Sequence, residues 1–199
     1  MDIDTVRSEL LGMAAEDLRV REELARDGTL FGGYHPRMRE VHERNAARLL
    51  AILDEHGWPG RSRVGAKAAD AAWLVLQHAI GNPPLQHRGL EMLRKAAEDG
   101  EVPALQVAML EDRIRCFEGK GQRYGTQFDW DERGLMSPLP LDDEETVNAR
   151  RAEVGLIPLP DEIRRHRLAV AESGERPPPD LAAYRRDRDE WLRSTGWRE

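Results

Sequence analysis

The sequence predicts a mainly α-helical fold: a single-domain bundle of about five core helices, carrying a small β-hairpin and a C-terminal helical extension. Three observations lead to this. Apolar residues recur every three or four positions through most of the first 118 residues. Breaks containing Gly and Pro separate these periodic stretches at helix-length intervals. Alternation by two is confined to one short segment near Tyr124. At 199 residues, with 34% charged and 40% hydrophobic side chains, the chain has the balance of a globular protein and length for one well-formed core. The expected organisation is an N-terminal amphipathic helix in 1–33, a core helical domain in 34–160 with the hairpin near 124–139, and a helical extension behind a Pro-rich linker in 161–199.

Residues 2–26 place Ile3, Val6, Leu10, Leu11, Met13, Ala14, Leu18 and Leu24 at mostly helical spacing, an amphipathic helix that docks on the core. The Gly-rich break "DGTLFGGYHP" ends it, and Pro36 suits the first turn of a second helix reaching about Glu55, with Val41, Ala46, Leu49, Leu50 and Leu53 as its stripe. "HGWPGRS" is a stop, with Gly57 at the helix-capping position. The third helix spans 64–80. Val64, Ala68, Ala71, Ala72, Val75 and Ala79 share one face, and Trp73, Leu76 and Ile80 widen it, so this helix is expected at the centre.

Pro83 and Pro84 open the fourth helix, which carries Leu85, Leu90, Met92, Leu93 and Ala97 and closes at "EDGEVP". A fifth, over 103–118, presents Val107, Leu110, Ile114 and Phe117 on one stripe. In "RYGTQFDWDERGLMSPLPL" Tyr124, Thr126, Phe128 and Trp130 alternate with Gly125, Gln127 and Asp129 around a "DERG" turn, which predicts the hairpin. A short helix, the connector "GLIPLP", another helix and the linker "GERPPPD" follow. The terminal helix puts Leu181, Tyr184, Arg188 and Trp191 on one face and is expected to be mobile.

Composition narrows the function classes. The formal net charge of −7 disfavours a nucleic-acid groove, which normally wants a basic face. No apolar run approaches the roughly 20 residues a membrane span needs, and "MDIDTVRSELL" lacks the features of a signal peptide, so a cytoplasmic protein with no membrane partner is expected. Cys116 is the only cysteine, which excludes an intramolecular disulfide and a cysteine-based zinc site; in "RIRCFEG" it reads as a half-buried thiol rather than a nucleophile. Nucleophile elbows, His-Glu-x-x-His pairs and dinucleotide or phosphate loops are absent; "EGKGQRYG" lacks the Lys-Ser/Thr pair and the preceding strand. No two of the six histidines have a chelating spacing within one helix. The sequence therefore assigns no metal and no cofactor, and any metal site would be assembled from different helices with carboxylates.

What remains is a set of polar residues in unexpected places. His78 lies at the edge of the third helix's apolar face, with Gln77 one turn beyond Trp73. Either they are core groups bonded to backbone and amides, or His78 is a general base in a cleft, its pKa tuned near working pH. Gln86 follows the double proline and is expected at the same opening. His42 and Asn45, three apart on the second helix, either look together into one groove or form an exposed pair. Arg113 reads as a surface residue or as an inward fork for a carboxylate or phosphate, in the second case with Asp142 or Glu111 as its resting partner. Tyr124, Thr126 and Gln127 offer hydroxyl and amide groups on an edge strand.

The strings "RNAARLLAILDEHGWPGRSRVG", "AAWLVLQHAIGNPPLQ", "LEDRIRCFEGKGQRYGTQFDWD" and "NARRAEVGLIPLP" resemble a family of bacterial proteins, DUF6624, over about residues 34–160. The resemblance implies that Asn45, Gln77, His78, Gln86, Arg113, Tyr124, Thr126 and Gln127 belong to motifs rather than being stray polar residues. Many relatives have an acid after Gln-His-Ala, where this chain has Ile80, and some have Asp where it has His42. The resemblance implies no particular reaction. Two functions follow as expectations. One is an enzyme, of hydrolase, cyclase or lyase type, acting on a small polar or amide-containing substrate with His78 as general base or acid and His42 assisting. The other is a non-catalytic module that binds a peptide or protein partner, with association into a homodimer open to it.

Overall fold

The computed structural model describes residues 2–30 and 33–199, so Phe31 and Gly32 of the Gly-rich break lie outside the described residues. The described residues are mainly α-helical, with one two-stranded sheet, and form two compact units, Met1–Pro103 and Ala104–Glu199. No helix among them is long and apolar enough to cross a membrane.

In the first unit, helix α1 (Ile3–Arg26) buries Val6, Leu10, Ala14, Asp17, Val20 and Leu24, a stripe stepping by three and four residues. Helix α2 (Pro36–His56) starts on Pro36, with the His35 Nδ1 accepting from the Arg37 N–H, and buries Met38, Val41, His42, Asn45, Ala46, Leu49, Ile52 and Leu53. Surface pairs Glu23–Arg37, Glu16–Arg44 and Glu9–Arg48 run in opposite senses along the two helices, so they lie antiparallel. Each such pair is worth at most about 1 kcal/mol; the buried stripes between them hold the helices together. Under this ladder, Asp17 and His42 fall at the same level.

The single helix expected over 64–80 is interrupted. One turn, α3 (Arg61–Val64), is separated from α4 (Ala66–His78) by Gly65 at φ +80°, a conformation that side-chain-bearing residues rarely adopt. Apolar periodicity runs through the break because Val64 and Ala68 are both buried, which is why spacing alone joins the two. Helix α4 takes the expected central place, packing on α1, α2, α3 and α5 (Pro83–Glu98). Asn82 caps α5 by accepting the Leu85 N–H at 3.1 Å, ahead of the two prolines.

The second unit contains α6 (Ala104–Phe117), a hairpin, and helices α7 (Val147–Glu153), α8 (Leu159–Ser173) and α9 (Leu181–Ser194). Strands β1 (Phe128–Trp130) and β2 (Met136–Pro138) pair antiparallel with Asp129 opposite Ser137. The expected strand does not extend back to Tyr124. There the backbone N–H groups of Arg123, Tyr124 and Thr126 turn onto the buried Asp112 carboxylate at 2.6–3.2 Å, and charge-assisted bonds to one anion outcompete a ladder. The C-terminal segment, expected to be mobile, is pinned instead. Leu192 and Trp197 are buried, the Trp191 and Trp197 rings meet Phe117, and Arg198 donates to the carbonyls of Cys116 and Phe117.

Candidate functional site

Helices α1, α2 and α4 bring Asp17, His42 and His78 together, with one donor atom from each within 4.8 Å of the others. Asp17 occupies a core position of α1 between Ala14 and Val20; His42 sits on the buried face of α2; His78 ends α4. Asp17 Oδ2 is 2.8 Å from His78 Nδ1 and 3.1 Å from His42 Nε2. The two imidazole centroids are 5.0 Å apart. Tyr34 completes the group, its hydroxyl 2.8 Å from His42 Nδ1 and its ring stacked on the imidazole.

Burial pushes the Asp17 pKa up, but the closely placed imidazoles of His42 and His78 outweigh this and hold the carboxyl well below the usual range. An ionised carboxylate only accepts, so the 2.8 Å contact places a proton on His78 Nδ1. His42 is held differently. Its Nε2 approaches Asp17 Oδ2 without hydrogen-bonding geometry, and Asp17 Oδ1 accepts no hydrogen bond among the described residues, though both atoms are buried. An unsatisfied buried polar atom costs about 1–3 kcal/mol, and such costs concentrate where a group is kept for something other than stability. Burial also raises the Tyr34 pKa, so its phenol stays neutral and can donate to, or accept from, either His42 tautomer.

A cavity of about 270 Å³ opens at this centre, lined by Tyr34, His42, Glu43, Ala46, Ala79 and Asn82 among others. That is slightly below the roughly 300–1,000 Å³ of drug-sized ligand pockets and suits a small molecule.

Among the other residues singled out from the sequence, Asn45 donates to the Met13 carbonyl at 3.2 Å and ties α2 to α1. Gln86 is fully buried beneath the end of α4, its amide donating to the carbonyls of Leu76 and Gln77 at 3.0 and 3.1 Å. Gln77 is buried beside it. Arg113, Tyr124, Thr126 and Gln127 belong to the second unit. There Arg113 Nε donates to Gln127 Oε1 at 3.3 Å, and Gln127 Nε2 to Thr126 Oγ1 at 3.1 Å. Of the acids expected near Arg113, Asp142 pairs with Arg115 and Arg150, and Glu111 with Arg123. Burial lowers the Arg113 pKa to about 10, still charged at neutral pH.

Sequence reasoning missed Asp17, Tyr34 and Arg151. Asp17 left a signal: it is the one acid on a stripe of Val, Leu and Ala. Arg151, fully buried, donates to the carbonyls of Tyr124, Gly125 and Ile157 and so fixes the loop around Asp112. Gly125 is required there, since it sits at φ +64° with an added Cβ falling 2.9 Å from Leu159.

No curated protein and no solved structure matches this chain significantly. Residues 4–171 match DUF6624, described as a family of unknown function, a span that takes in α1 and Asp17 as well as both histidines. With most of its 199 residues inside that match, the chain belongs to the DUF6624 family.

Proposed function

We propose that the chain is an enzyme acting on a small polar substrate bearing an ester or amide, with His78 as general base, Asp17 orienting it, and His42 with Tyr34 assisting in proton transfer. The supporting observation is the buried, ionised Asp17 carboxylate holding the His78 imidazole at 2.8 Å, next to His42, which lines a cavity of about 270 Å³ with Tyr34 and Ala79, the neighbour of His78 in the chain. A carboxylate on Nδ1 fixes the tautomer in which Nε2 takes a proton, the polarity of an imidazole that activates water. Water attacking a substrate carbonyl would pass its proton to His78 Nε2, which then returns it to the departing amine or alcohol. Asn82 spends its side-chain oxygen on capping α5, leaving its NH2 as a donor for the substrate. Glu43 at the cavity favours neutral or cationic substrates over anions. The cavity's size favours a small molecule over the peptide or protein ligand of a binding module.

The test is turnover of p-nitrophenyl esters, phosphate esters and anilides by wild type and His78→Ala. The expected result is hydrolysis of one class, lost in the variant while far-UV circular dichroism and melting temperature are kept. Equal turnover by the two proteins, or no turnover together with no thermal stabilisation by any probe, refutes the reading.

A further inference from the structure

We propose that Asp17, His42 and His78 hold one divalent transition-metal ion, with Tyr34 as the outer-shell partner of His42. The inference rests on the same centre as the proposed function; an ion bound there would take the place of the proton on His78 Nδ1, and its bound water would stand in for water activated by the His78 base.

Two features separate this cluster from an ordinary hydrogen-bond network. First, its donor atoms are spaced like neighbouring ligands on one ion. Metal–ligand bonds of about 2.1 Å set neighbouring donors about 3.0 Å apart in octahedral geometry and about 3.4 Å apart in tetrahedral geometry. Asp17 Oδ2 lies 2.8 Å from His78 Nδ1 and 3.1 Å from His42 Nε2, and no pair in the set exceeds 4.8 Å. Second, the atoms satisfy one another only in part: His78 Nδ1 bonds to Asp17 Oδ2, and the rest of the set is left over. His42 Nε2 is buried and close to Oδ2 yet misses hydrogen-bonding geometry, so its in-plane direction points past that oxygen. Asp17 Oδ1 is also buried and accepts no hydrogen bond among the described residues. A cation placed between the side chains would give His42 Nε2 the partner it lacks.

The donor set selects the class of ion. Two imidazoles and one carboxylate suit zinc, iron or nickel, and are too poor in oxygen for calcium or magnesium. Three protein ligands leave positions open to water and substrate, as catalytic sites do. The outer shell agrees as well. With His42 Nε2 on the ion, Nδ1 carries the proton and donates to the neutral Tyr34 hydroxyl 2.8 Å away, the kind of contact that orients a ligating histidine. The open side of the ion is then toward the cavity that His42 and Tyr34 line. A water bound there becomes the nucleophile, and substrate reaches it through the same opening.

The test is equilibrium dialysis of the chelator-stripped full chain against Zn²⁺ and Co²⁺, with elemental analysis and the visible spectrum of the cobalt form. One ion per chain and cobalt ligand-field bands are expected. Asp17→Asn, His42→Ala and His78→Gln should each lose more affinity than the roughly 10–100-fold that an outer-shell change costs, while Tyr34→Phe should keep one ion per chain and lose within that range. Circular dichroism checks that each variant is folded. No retained ion, or equal retention by all three ligand variants, overturns the proposal. Running the ester, phosphate and anilide probes on stripped and loaded protein distinguishes the two readings. Turnover without metal binding leaves the acid–base enzyme and removes the metal, whereas a bound ion with no turnover does the reverse.

Discussion

Replacing Asp17 with Asn separates a functional centre from a structural core network. The substitution keeps the shape of a side chain that is 1% exposed, so packing on α2 and α4 is unchanged. The bond to His78 at 2.8 Å becomes neutral rather than charge-assisted, a loss of about 1–2 kcal/mol. Against this, the buried charge disappears, a relief of about 1–3 kcal/mol, with the Asn NH2 taking the place of Oδ1. The net loss is then at most about 1 kcal/mol. For a chain of 199 residues, at roughly 2–4 °C per kcal/mol, the melting temperature of the metal-stripped protein should fall by no more than about 4 °C. If Asp17 were a structural keystone, removing its charge would cost about 3–5 kcal/mol, or roughly 6–20 °C. Scanning calorimetry at neutral pH decides, and a fall beyond about 6 °C refutes the functional assignment. The pH dependence gives a second readout. The folded pKa lies below the ordinary 3.8, so the unfolded chain binds the proton more readily. The stability this contributes is present above pH 3.8 and is lost as the pH falls from there toward the folded pKa; Asp17→Asn should lack that part of the acid limb.

Gln86→Leu should cost about 1–3 kcal/mol, because the last carbonyls of α4 lose their donor while the unsatisfied Gln86 Oε1 disappears with it. A melting temperature equal to wild type would show that Gln86 does not hold the end of α4 that carries His78. Arg151→Met leaves three carbonyls of the Asp112 loop without a donor and should cost about 3–5 kcal/mol in a urea titration; a loss under about 1 kcal/mol contradicts the clamp. In the hairpin turn, the N–H groups of Leu135 and Arg133 and the Ser137 hydroxyl all donate to Asp131 and hold its pKa at about 2. An NMR titration of that carboxyl should therefore find its midpoint near 2, and a midpoint near 3.8 would mean the turn does not hold these bonds in solution.

The helices were legible because burial has a period, and the site was only half legible because it has none. Val6, Leu10, Val41, Leu49, Val75 and Leu93 announce their elements by spacing alone. Gly65 is invisible to the same logic, since buried apolar residues continue on both sides of the kink. The loop at Tyr124 and Thr126 imitates a strand by alternation, while the group that shapes it, Asp112, lies in a different element. His42 and His78 stand out as polar residues on apolar faces, but chelating patterns look for partners one turn away on the same helix, and here the partners sit on separate helices. Antiparallel packing makes the connection: Glu16 faces Arg44 and Glu23 faces Arg37, so the inward residue at the level of Asp17 is His42. A charged residue on the buried stripe of one helix should therefore be read against polar residues on the buried stripes of its neighbours. A fold retains such a residue at a stability cost of several kcal/mol unless it is paired, and the three buried stripes that meet in this unit place the pairing at Asp17, His42 and His78.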